Sequence, residues 1–107
     1  MNIDILHQPD SAIAHIRMRA GEELVAEAGS MIAMSSYINA STTLRQGKNG
    51  GIWGGLKRMM AGESLFLSIF RSPTHDGEVF LAPKLMGDIL IYQMSSAGLV
   101  VQASSYL

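Results

Sequence analysis

No apolar run in this chain lasts more than a few residues before Gly, Pro, Ser or Asp interrupts it. Short apolar or alternating segments separated by turn residues at roughly 8 to 12 residue spacing build all-β sandwiches or barrels, because a strand needs only a few residues and each turn needs special backbone chemistry. The first segment sets Ile3, Ile5 and His7 against Asp4 and Leu6, and Gln8-Pro9-Asp10-Ser11 supplies a turn. The second places Ala12, Ala14, Ile16 and Met18 on one face and Ile13, His15, Arg17 and Arg19 on the other. Its wholly apolar face is the one predicted to be buried. Further strands are predicted over 23–28, 31–34, 38–44, 64–70, 78–82, 88–94 and 99–103, with breaks at Gly21, Gly29, Pro73, Pro83, Gly87 and Gly98.

Length allows one domain spanning residues 1–107. The chain is 48% hydrophobic and only 16% charged, against roughly 25% charged in an average soluble domain. Part of its surface is therefore expected to be covered by an oligomer or another partner. A formal net charge of -1 offers no basic field for nucleic acid, so nucleic-acid binding is not expected. The absence of cysteine removes disulfides and thiolate metal sites. No run reaches the roughly 18 apolar residues of a membrane-spanning helix, and the opening MNIDILHQPD lacks the basic start and apolar run of a secretory signal. A cytoplasmic location is the expectation.

The stretch from Gly47 to Arg71 is the most unusual. Read as one short helix or crossover over residues 52–61, it gathers Ile52, Trp53, Leu56, Met59 and Met60 on one face and leaves Gly54, Lys57 and Arg58 elsewhere. Its internal glycines cost about 1 kcal/mol each relative to Ala, so such a helix would depend on packing. The segment is expected to cap an open end of the sandwich or to meet another subunit. Docking of Trp53 and the methionines to a membrane surface is the alternative. Trp53, Leu56, Lys57, Arg58, Met59 and Met60 are the candidate interaction surface.

Motif order points to a family. Ala20-Gly21-Glu22, Ala26-Glu27-Ala28-Gly29-Ser30-Met31, Gly50-Gly51, Leu56-Lys57-Arg58, Gly62-Glu63-Ser64-Leu65-Phe66, Leu81-Ala82-Pro83 and Gly87-Asp88-Ile89 follow one another over nearly the whole chain. Together they resemble the bacterial family related to the yeast altered-inheritance-of-mitochondria protein. The resemblance implies a double-stranded β-helix like that of the tryptophan RNA-binding attenuation protein, assembly into trimers, and no established enzymatic activity. It also implies a longer domain, of which this chain looks like the N-terminal half or a short version. Met86 and Ala20 stand where the family often has proline.

Site chemistries fare poorly. Gly50-Gly51-Ile52-Trp53-Gly54-Gly55 lacks the Gly-Lys-Ser/Thr ending through which a phosphate loop reaches phosphate and Mg²⁺. His7, His15 and His75 show no metal-ligand spacing, and of the eight methionines Met31/Met34 and Met59/Met60 lie in apolar surroundings that suit a core better than a soft metal. No serine occupies a G-x-S-x-G elbow, and Glu22-Glu23 lies in a turn where solvation accounts for paired acids. The expected protein is a non-enzymatic, self-associating β-domain without cofactor, acting as a scaffold or interaction module, with a membrane-peripheral setting open to it. The alternative is a module that binds RNA or a small ligand through the Gly-rich loop and Lys57/Arg58.

Overall fold

The alternation in the second segment is what places the first sheet. The computed structural model describes residues 1–44, 66–100 and 107, and in it β2 (Ile13–Met18) buries Ala14, Ile16 and Met18 as the pattern requires. β1 (Asn2–Leu6) pairs with β2 as an antiparallel hairpin, Ile3 opposite Ile16 and Ile5 opposite Ala14. On its other side β2 pairs with β7 (Gly77–Leu81), and β4 (Met31–Met34) closes the sheet in the order β1-β2-β7-β4. A bulge between Met31 and Ala33 interrupts the β4 register.

The second sheet has the order β3-β6-β5, from β3 (Glu23–Glu27), β5 (Asn39–Leu44) and β6 (Phe66–Arg71), again antiparallel. After the first hairpin, the chain switches sheet between β2 and β3, β3 and β4, β4 and β5, and again between β6 and β7. Two of those corners, between β2 and β3 and between β3 and β4, are made by Gly21 and Gly29, both at φ 88°. Side chains with a Cβ rarely adopt that conformation, so glycine belongs at both points.

Facing side chains of the two sheets form one core. Ala14, Ile16, Met18, Val79 and Leu81 come from the first sheet, and Ala26 and Phe70 from the second, with Ile38 at the entrance to β5. Two layers that bury one apolar face each make a sandwich. The ends are tied by backbone bonds: Gly21 N–H donates to Ser72 O at 2.6 Å, and Ala82 N–H to Ser30 O at 2.8 Å. The all-β, β-sandwich-like expectation holds.

Two expectations need correction or placement. Residues 88–94 read as a strand, yet they join no ladder, and neither do Leu99 and Val100. Their alternation is strand-like, but a strand exists only where a partner receives its backbone bonds, and among the described residues none does. The 52–61 segment lies outside the described residues, which themselves contain no helix.

Candidate functional site

The residues that sequence chemistry singles out occupy separate structural settings. His15, on the outer face of β2, stacks on Phe80 with ring centroids 4.3 Å apart and an interplanar angle of 7°. Its Nε2 lies 3.2 Å from Glu78 Oε1, a diagonal contact that follows from the register of Arg17 with Glu78 and His15 with Phe80. Arg17 in turn pairs with Asp4. His75 lies in the turn before β7 against Tyr37, centroids 5.3 Å apart, with Thr74 Oγ1 2.7 Å from its Nδ1. His7 ends the first strand at φ 59°. Among the described residues, no three His, Cys, Asp or Glu side chains gather in a way that would hold a metal ion.

The paired acids are more engaged than a solvated turn requires. Glu22 Oε1 accepts from the Arg19 backbone N–H at 2.6 Å, and Oε2 lies 3.1 Å from the N-terminal amine. The amide bond first, and the amine second, hold this carboxyl below its ordinary value of 4.5. Glu23 accepts from Arg71 Nε at 2.6 Å across the β3–β6 pair. Both acids are therefore fasteners of strand ends.

A cleft of about 390 Å³ opens beside β2 and β7, with Arg17, Arg19, Tyr37, Asp76 and Glu78 in its wall. Most of these polar groups are already taken up by one another or by backbone. Asp76 Oδ1 accepts from Ala20 N–H at 3.0 Å, Tyr37 Oη donates to the Asp76 carbonyl, and Arg17 and Glu78 are paired as above. The buried hydroxyls are likewise structural: Ser30 Oγ donates to Glu27 O at 2.6 Å, and Ser72 Oγ donates to His75 O. Among the described residues no buried side-chain nitrogen or oxygen lacks a partner.

What remains unsatisfied is apolar. Downstream of β7, Leu85 and Met86 are each 84% exposed and Leu90 is 89% exposed. Ile91, Tyr92, Met94, Leu99 and Val100 are exposed as well. The base of this arm is fixed: Ala12 N–H donates to Gly87 O at 2.9 Å, Gln8 Nε2 to Asp88 Oδ1 at 3.0 Å, and Ile89 packs on the core. Sequence reading missed this surface because it assigned Leu90, Ile91, Tyr92, Met94, Leu99 and Val100 to strands and Leu85 and Met86 to the turn before them. The proposed contact residues Trp53, Leu56, Lys57, Arg58, Met59 and Met60 lie outside the described residues.

These features define a class: an all-β, sandwich-like protein with engaged polar groups and an exposed apolar arm. Over residues 3–107 the chain matches the family described as mitochondrial biogenesis AIM24, and it belongs to that family. The motif order had pointed to the same group. No curated protein and no solved structure gives a significant match.

Proposed function

We propose that this chain is a non-enzymatic, self-associating β-domain that serves as a scaffold or interaction module. The observation that carries the reading is the apolar arm, with Leu85, Met86 and Leu90 more than four-fifths exposed. Exposed apolar surface of this extent marks sites of association. The low charge content of the chain, 16%, is in keeping with a surface that is covered in the working assembly. A role in organising other components accords with the family's description as mitochondrial biogenesis, and the family resemblance favours a trimer.

Sedimentation equilibrium over a range of micromolar concentrations tests the reading. A reversible, concentration-dependent oligomer is the expected result; a strictly monomeric protein overturns it. Liposome flotation of the wild type and Trp53→Ala tests the membrane-peripheral setting, which fails if neither protein floats.

A further inference from the structure

We propose that Met86 is a site of reversible oxidation by peroxide, and that its sulfoxide weakens the association in which the apolar arm takes part. The site stands on the geometry of the loop after β7; its effect on association rests on the self-association reading above. Met59 and Met60 lie outside the described residues, and the other six of the eight methionines differ widely in setting. Met18 is 1% exposed and Met34 packs on the core. Met31 is 36% exposed, Met1 41% and Met94 59%, and Met86 exceeds them all at 84%. A thioether inside a packed core is shielded from oxidant, whereas one in water is not.

The loop that presents Met86 is pinned on both sides. Lys84 Nζ lies 3.6 Å from Glu27 Oε1, Ala12 N–H donates to Gly87 O at 2.9 Å, and Gln8 Nε2 donates to Asp88 Oδ1 at 3.0 Å. These contacts set Met86 against the Gln8–Ser11 turn, where Ser11 Oγ donates to Met86 Sδ at 4.0 Å. A thioether is a weak acceptor. A sulfoxide oxygen carries much of the negative charge of the S–O bond and accepts strongly, so the same hydroxyl serves the oxidised side chain better than the reduced one.

The chemistry closes with hydrogen peroxide as the co-reactant. A sulfur lone pair attacks one peroxide oxygen as the O–O bond breaks; sulfur loses two electrons and keeps that oxygen, and the second oxygen leaves with both hydrogens as water. Two thiols of a sulfoxide reductase reverse the step, ending as a disulfide while the oxygen departs as water. Oxidation converts a flexible apolar side chain into a polar one beside Leu85, which is equally exposed. Bonded to Ser11, the oxidised group turns onto the polar turn and withdraws from the apolar surface, and any part still buried by a partner carries the cost of an imperfectly paired oxygen. Association should weaken by roughly 10-fold.

The first experiment is limited oxidation of the folded protein by hydrogen peroxide at submicromolar concentration, followed by peptide mass mapping. Met86 should be oxidised first of the six, at a rate roughly 10-fold or more above that of Met18; any other of the six reacting first overturns the site. Reductases specific for each sulfoxide epimer should find unequal amounts at Met86 in the wild type and near-equal amounts in Ser11→Ala. Equal amounts in both overturn the part given to Ser11. Sedimentation equilibrium then compares treated and untreated wild type with Met86→Leu, which keeps the volume and cannot form a sulfoxide, circular dichroism confirming the fold of each. Treated wild type should associate more weakly than untreated, and treated Met86→Leu should not change. Unchanged association of the treated wild type, or equal weakening of Met86→Leu, overturns the switch and leaves self-association standing. A wild type that is monomeric before treatment overturns self-association and the switch together, and the oxidation map still decides the site.

Discussion

At Gly77 the start of β7 lies against the core side chain of Ile38, and replacing the glycine with alanine tests that packing directly. A Cβ built there lies 2.8 Å from Ile38 Cδ1, 3.0 Å from Ile38 Cγ1 and 3.3 Å from Ser72 Oγ. Carbon atoms pack best at about 3.5–4.0 Å, so Ile38 must retreat by roughly 1 Å. It has little room, because it is only 4% exposed and belongs to the core. Overpacking of this kind costs about 1–3 kcal/mol. Against it, loss of glycine's freedom in the unfolded chain returns about 0.4–1 kcal/mol. The net expectation for Gly77→Ala is a destabilisation of about 1–2 kcal/mol, read in urea unfolding at fixed protein concentration as a midpoint lowered by about 1 M. Ile38→Val removes the atom at 2.8 Å and alone costs about 0.5–1.5 kcal/mol. The double variant should be more stable than the two losses together imply, by about 1 kcal/mol. Gly87→Ala is the control, since nothing lies within 4 Å of its Cβ position. Additive losses in the double variant, or equal losses at Gly77 and Gly87, would refute the reasoning.

Other perturbations follow from the same contacts. Phe70 is 1% exposed at the centre of the core, so Phe70→Ala should cost about 3–5 kcal/mol in urea unfolding; a loss under 1 kcal/mol would place the core elsewhere. Glu22, its carboxyl held below 4.5, stabilises the fold above its unfolded pKa, and that contribution disappears as pH falls through the lower folded value. Glu22→Gln should therefore flatten the loss of urea midpoint between neutral pH and the acid limb, and parallel curves would show that the Arg19 amide bond is irrelevant. The exposed Arg71–Glu23 pair should matter little. Arg71→Ala is expected within about 1 kcal/mol of wild type by thermal melting, and a larger loss would mean that its alkyl stem packs.

The sequence made some of this architecture legible and concealed the rest for identifiable reasons. β2 was readable because one face of Ala12–Arg19 is uniformly apolar, and that face is the buried one. β6 is apolar on both faces, and the structure buries both Leu67 and Phe70, which lie on opposite sides of an ideal strand. Alternation alone gives no such result. The segment 88–94 has a pattern as strand-like as β2, yet among the described residues no partner strand meets it; pattern records what a segment would bury and not where its partner lies. The polar residues were harder still. Glu22 and Glu23 gained their contacts only when the β2–β3 corner met the chain start and β6, contacts that separation along the sequence hides.

The sheet order also governs when this protein can begin to be a protein. Of the strand pairs, only β1 with β2 is a close neighbour in sequence; β2 and β4 both wait for β7, and β3 waits for β6. A ribosome that has delivered the first four strands has therefore made one hairpin and two further strands, β3 and β4, whose pairing partners have yet to be synthesised. Pairings across such long separations are slow to form and leave apolar edges uncovered meanwhile. The nascent chain depends on the emergence of Gly77–Leu81 before the first sheet can close, which makes β7 the timing element of its biosynthesis.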